Sequence, residues 1–242
     1  ILLARAALAL APARIAERAV DKQAQTLLMP VAARRQLNDL PDDLWTKINI
    51  EFYKDSSDAV FKALMKMRWQ PAVRVAPAWP DDPVFIDAIA RSMETALGKL
   101  DFEPEVVLAS YHGMPRKYLD QGDPYHCQCL KTSRLVRERL GLPKERWVTS
   151  FQSRFGNDEW LRPYTDETVA ALAKRGVKRL AIVAPGFSAD CLETLEELDV
   201  ENREIFMHDG GEKFAYVPAL NDGPDGMRVI EHVVRRELQG WI

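Results

Sequence analysis

Residues 181–201 read AIVAPGFSADCLETLEELDVE, and the fold class follows from how this stretch is parsed. Leu180-Ala181-Ile182-Val183-Ala184 is a short apolar run of the kind that fills a strand buried on both faces of a parallel sheet. Pro185-Gly186 interrupts it. Asp190 then stands where a helix N-cap is expected, with Glu193 three residues later. At about 100° per residue, Leu192, Leu195 and Leu198 fall in one arc, and Asp190, Glu193, Glu197 and Glu201 fall roughly opposite. The leucine face is expected to pack on a sheet. Carboxylates at i and i+4 repel by roughly a few tenths of a kcal/mol per pair, so the acidic face needs a reason. One is a solvated face in a first turn, where the helix dipole favours acids. The other is a helix at the C-terminal edge of a parallel sheet, where open α/β folds place their ligands and where the acids would face a cation or shuttle protons.

Outward from this stretch the same rhythm recurs. Helical patterns are expected over 59–69, 83–100, 129–140, 165–175 and 226–238, and strands over 73–75, 105–110, 147–152, 179–184 and 203–207. The segment 208–221 reads as a loop. Strands alternating with helices at this period specify an α/β fold, a doubly wound parallel sheet of four or five strands. Residues 1–57 look different. An Ala-rich helix is expected over 6–19 and turns at Met29-Pro30 and Leu40-Pro41, but no strand–Gly loop–helix unit stands out.

The chain has 242 residues, 47% apolar and 29% charged, with net charge −3. That is the balance of a globular enzyme with a proper core, and it offers no bulk electrostatic case for nucleic acid. Three cysteines, Cys127, Cys129 and Cys191, form no disulfide framework and fit a reducing, cytoplasmic setting. The apolar start, Ile1–Ala13, is too short to span a membrane and lacks a basic segment ahead of it, so it does not read as a signal peptide. No apolar tail marks a C-terminal anchor, and membrane association is expected to be peripheral at most.

The chemistry concentrates at a second strand end. Ser110-Tyr111-His112-Gly113-Met114-Pro115 directly follows the run 105–110. A lone histidine is usually a hydrogen-bonded structural residue, but one at a strand C-terminus, with Glu193 just beyond another strand, is a site candidate. A neutral imidazole and carboxylates suit a borderline divalent metal such as Fe²⁺ or Zn²⁺, and equally an acid/base pair. Two strong ligands are too few for a closed structural zinc site. An open, transient metal site at His112 and Glu193 is the reading.

Four ordered blocks then resemble the ferrochelatase family: Ser110–Pro115 with Gly122-Asp123-Pro124-Tyr125; Phe151–Gly156 with Trp160-Leu161 and Pro163–Glu167; Pro185–Asp190 with Leu192–Leu195 and Glu197–Asp199; and Asp209–Gly211 with Pro218–Asn221. The resemblance runs from about Asp58 to the C-terminus. It implies a Rossmann-like chelatase fold with a C-terminal lobe (58–242) and an incomplete N-terminal lobe. It also implies insertion of Fe²⁺ into protoporphyrin IX to give protohaem, the last step of haem biosynthesis. His112 would contact iron and accept pyrrole protons, Glu193 would face it at the metal, and Glu197 and Glu201 would continue an acidic row. Phe187 and Trp160 would wall the porphyrin cleft, with Asp190 supporting the site from behind. Iron enters as substrate, and no prosthetic group is implied. Some members hold a [2Fe–2S] cluster on four cysteines; here three are present, a cluster would need His126 as well, and free thiols are the plainer expectation. Residues 1–57 lack the Leu-Gly-Thr-Pro and Tyr-Pro-Gln-Tyr-Ser motifs of the family's first half, so they read as a truncated or diverged remnant, with weak turnover expected of the chain alone. The alternatives are a non-catalytic metal- or tetrapyrrole-binding module and a related cobalt or nickel chelatase.

Overall fold

The computed structural model describes residues 2–3, 12–31, 44, 46–54, 56–68, 74–156 and 158–241. The chain forms two compact units, Ile1–Arg74 and Val75–Ile242. This division falls beyond the 57/58 boundary drawn from the resemblance, because helix Ser56–Met65 packs within the first unit.

The first unit corrects the sequence reading, because it too is α/β. Strands β1 (Leu2–Leu3), β2 (Thr26–Pro30) and β3 (Asn49–Tyr53) form a parallel sheet in that order, with helices α1 (Pro12–Asp21) and α2 (Ser56–Met65). Alternation along β2 explains how both faces are covered. Leu27 and Met29 pack with Ala16, Ala19 and Ile48, whereas Leu28 points the other way, to Tyr53 and Ala59. The pattern is hard to read in sequence because β2 is short, almost wholly apolar and ends in proline. The helix expected over 6–19 is observed from Pro12 to Asp21, and residues 6–11 lie outside the described residues.

The second unit starts without the expected strand: Val75 is irregular and 82% exposed, Arg74 is also irregular, and Val73 lies outside the described residues. Helix α3 (Pro83–Leu97) opens with Asp82 as N-cap, whose carboxylate accepts from the Val84 N–H at 2.9 Å. Strand β4 (Val106–His112) follows, then a short helix α4 (Arg116–Asp120), helix α5 (Tyr125–Arg139), strand β5 (Trp147–Gln152), helix α6 (Thr165–Lys174) and strand β6 (Arg179–Val183). Next comes a composite helix: α7 (Leu192–Thr194), a π-helical segment (Leu195–Glu201) and α8 (Asn202–His208). Strand β7 (Lys213–Val217) and helix α9 (Pro224–Leu238) complete it.

Two expectations are exchanged here. The strand expected over 203–207 is helix α8, and the loop expected over 208–221 contains β7. Burial recurs at Leu198, Asn202 and Phe206, every fourth residue, which is a helical stripe and not a strand alternation. Phe206 then meets Phe214 of β7 at 6.0 Å between ring centroids.

The sheet is wholly parallel, in the order β5-β4-β6-β7. Along β4, Val107, Ala109 and Tyr111 face a core with Ile89 and Met93 of α3 and Val136 of α5. Val106 and Leu108 face the opposite core, with Val169 and Leu172 of α6 and Leu198 and Phe206 of the composite helix. This is the doubly wound arrangement expected. From β4 the chain steps outward to β5, then crosses back to β6 on the other side of β4. The C-terminal ends of β4 and β6 therefore flank the topological switch point, where such sheets bind ligands.

Candidate active site

His112 is the last residue of β4, half-buried at the switch point. Its Nδ1 lies 2.7 Å from the Gly113 carbonyl oxygen. A carbonyl can only accept, so Nδ1 carries a hydrogen, and in the neutral ring the lone pair falls on Nε2. From the other side the Tyr125 hydroxyl donates to the His112 carbonyl at 2.9 Å, and the Phe187 ring stands 6.4 Å away, tilted by 43°. Gly113 is needed for this geometry: a Cβ there would meet the Gln152 carbonyl oxygen at 2.7 Å and the Trp160 ring at 3.1 Å.

Glu193 enters on the segment after β6. The Cys191 thiol donates to its carboxylate at 3.0 Å, and this bond and its own backbone hold the carboxyl below its usual range against a partial burial that would raise it, with a further lowering from His112 when that ring is protonated. Gln152, the ladder partner of His112, donates from Nε2 to the main-chain oxygen of Glu193 at 2.6 Å, which brings the two segments together. The expected N-cap at Asp190 is displaced by one residue. Cys191 caps the helix, its N–H donating to Thr194 Oγ1 at 2.9 Å. Asp190 is engaged elsewhere, accepting from Tyr216 Oη (2.7 Å), Asn221 Nδ2 (2.8 Å), Thr194 Oγ1 (3.1 Å) and the Ala219 N–H (3.2 Å). Burial pushes its carboxyl up, but these donors outweigh it and the net displacement is downward. Asp190 therefore ties the β6 loop to β7.

The acidic face opens on a cleft of about 570 Å³, lined by Gln152, Ser153, Arg154, Phe155, Leu192, Glu193, Glu196, Glu197 and Glu201 among others. Glu196, expected off the acidic stripe, lines it too. The leucine face departs from expectation in the same way: Leu198 is fully buried, but Leu192 is 75% and Leu195 50% exposed. The π-helical segment closes i→i+5 bonds, so Leu195 and Glu196 drift from the phase that an α-helical wheel assigns them, whereas Leu192 is the first residue of the turn ahead of it.

Glu197, expected to continue an open row, is bound. Its carboxylate accepts from the Ser153 N–H at 2.7 Å and from Ser153 Oγ, and lies 3.3 Å from Gln152 Nε2. Ser153 sits at φ +61°, uncommon for a residue with a side chain, and the carboxylate holds it there. Trp160 is 6% exposed: its indole N–H donates to the Phe155 carbonyl at 3.0 Å and its ring packs on Gly113. It braces the His112 loop from within. Exposed Phe155, 4.8 Å from Trp160 between centroids, lines the cleft together with buried Phe151.

His112, Phe187, Asp190 and Trp160 are not among the residues lining this cleft, whereas Glu193 and Glu197 are. No group of three or more His, Cys, Asp or Glu side chains among the described residues is arranged to hold a metal ion. Cys127 is exposed and Cys129 buried on α5, and burial pushes the Cys129 thiol up to about 12. The His126 ring stacks on Phe151 at 5.4 Å. No helix among the described residues is long and apolar enough to cross a membrane. Sequence reasoning assigned no site role to Gln152 or Ser153 and weighed Cys191 only as a free thiol or cluster ligand; two polar residues at the end of a buried strand were the available signal.

A family model described as ferrochelatase matches residues 53–238. The chain is 65% identical over 186 residues to a protein named ferrochelatase from Allorhizobium ampelinum, covering 77% of this chain and 54% of that protein. It is 61% identical to one from Rhizobium meliloti, covering 77% and 55%, and 59% identical to one from Brucella anthropi, covering 77% and 53%. The chain spans about half the length of the curated relatives it matches.

Proposed function

The chain belongs to the ferrochelatase family, and on that premise we propose that its second unit carries the metal-side half of a site that inserts Fe²⁺ into protoporphyrin IX. The observation that carries the reading is a histidine whose Nδ1 is bound to a backbone carbonyl, so that Nε2 is the accepting nitrogen of the neutral ring, with the Glu193 main chain tied by Gln152 to the same strand end, at the switch point of a parallel sheet. Metallating a porphyrin requires loss of two pyrrole N–H protons and transfer of a hydrated cation into the ring. A neutral imidazole accepts protons at Nε2, the Glu193 carboxylate binds the cation, and Glu196 and Glu201 in the adjoining cleft raise the local concentration of positive charge. Phe187 beside His112 and the exposed Phe155 and Leu192 offer apolar surface to a flat macrocycle. Iron and porphyrin are substrates, and the reading needs no resident prosthetic group and no [2Fe–2S] cluster. A cytoplasmic setting with at most peripheral membrane contact is part of the same proposal.

The test is a continuous zinc-porphyrin fluorescence assay on the chain. Turnover is expected to fall by about 10²–10⁴-fold in His112→Ala, the range for removing a general base, and comparably in Glu193→Gln. Undiminished turnover in both variants would remove the site assignment. Metal binding by the chain without any turnover would favour the binding-module alternative.

A further inference from the structure

Gln152 lies where three pieces of this site meet. It is the direct ladder partner of His112 across β4 and β5, and its carbonyl accepts from the Gly113 N–H at 2.7 Å. Its side chain is 3% exposed and joins two different elements. Ser110 Oγ, two residues before His112, donates to Oε1 at 2.8 Å, and Nε2 donates to the main-chain oxygen of Glu193 at 2.6 Å. Chemistry fixes the amide's orientation. The Glu193 carbonyl can only accept, and a flipped amide would set two acceptors against each other. The far end of the link is itself anchored, because Ser110 is 2.8 Å from Thr165 Oγ1, and Thr165 is 2.9 Å from Ser150 Oγ. Ser110, Gln152, Ser150 and Thr165 are all buried, and a buried polar network that is fully satisfied rigidifies what it joins. The helix leaves α geometry two residues after Glu193, and a side chain inserted against the helix backbone is a known cause of such local departures.

We propose that Gln152 is a positioning residue for metal insertion: its amide pins the main chain of Glu193 to the strand that carries His112, and so sets the separation of the two groups that act on metal and porphyrin. The role rests on the His112–Glu193 reading above. It predicts that Gln152 affects turnover without touching either substrate.

The experiment uses the whole chain and compares Gln152→Met, which keeps the volume but none of the amide's hydrogen bonds, those to Glu193 and Glu197 included, with Gln152→Ala and Glu193→Gln. Amide hydrogen exchange over 192–201 is expected to accelerate in both Gln152 variants, while exchange in β6 stays as slow as in the parent. In the zinc-porphyrin assay kcat is expected to fall by about 10²-fold, the cost of a misplacement of the order of 1 Å, with KM for the porphyrin within about two-fold. Unchanged exchange over 192–201, or a kcat in Gln152→Met within about two-fold of the parent, overturns the positioning role even where Glu193→Gln is inactive. Full turnover in Glu193→Gln overturns the underlying reading instead, and the role with it. In a chain without turnover the exchange result alone decides.

Discussion

Asp190 is ionised and surrounded by donors from three directions: Tyr216 on β7, Asn221 and Ala219 beyond it, and Thr194 at the start of α7. Its carboxyl is depressed in the folded chain. The stability it contributes is therefore present above the unfolded carboxyl value, about 3.9, and is lost as pH falls through the lower folded value. Asp190→Asn is expected to cost about 1–2 kcal/mol at pH 7. The difference between variant and parent in urea unfolding should shrink below about pH 4. A gap that is constant from pH 7 to pH 3 would show that charge plays no part. Glu196 poses a different residue-level question, because it shares the cleft with Glu193 but does not stand beside the Cys191 thiol. Glu196→Gln is expected to lower zinc-porphyrin turnover by less than about five-fold, against at least about 10²-fold for Glu193→Gln. Equal losses would return the acidic row to a diffuse electrostatic role.

Among the elements, the end of the β4–β5 pair sets the tightest tolerance. Gly113 has the Gln152 carbonyl and the Trp160 ring within the space of one methyl group. Backbone cannot yield cheaply, and Trp160 is held by its indole hydrogen bond and an isolated bridge to Pro115. Gly113→Ala is expected to destabilise the chain by about 1–3 kcal/mol, the usual cost of overpacking, read as a lower urea midpoint. A loss below about 0.5 kcal/mol, the range of an ordinary surface change, would show that the Trp160 loop gives way freely. The π-helical segment is the other element that departs from sequence expectation. Its wider turn leaves Leu195 exposed while keeping Leu198 in the core.

At the scale of the molecule, each unit has cores of its own. The clusters around Leu27 and Leu28 draw on residues 16–63, and those around Met93 and Leu108 on residues 85–220. The second unit also contains a complete four-stranded sheet with helices on both faces. Residues 75–242 are therefore expected to fold alone and to unfold in urea as a single cooperative transition by fluorescence and by circular dichroism. Non-coincident transitions, or a molten fragment, would show that the first unit is needed for the second. The expectation of weak turnover is a separate matter. The chain spans about half the length of the curated relatives it matches, and the zinc-porphyrin assay on the chain measures what that span supports.

The alternation of buried apolar runs with amphipathic segments was enough to establish the α/β class, the parallel sheet of the second unit and the position of His112 at a strand end. Those features depend on local period and on burial, which residues within a few positions of one another encode. The order β5-β4-β6-β7, the helix at 202–208, the strand at 213–217 and the sheet of the first unit came only from tertiary structure. In each of these, partners far apart in sequence compete with similar local propensities: Arg203–Met207 could extend or coil until Phe206 met Phe214 and Leu198 entered the core. The link from Ser110 through Gln152 to Glu193 spans 42 and 41 residues, and no period in the chain announces it. Hydrogen bonds between such distant groups form only when the sheet and the π-helical turn bring them together, so the geometry of the candidate site belongs to the fold and its chemistry to the sequence.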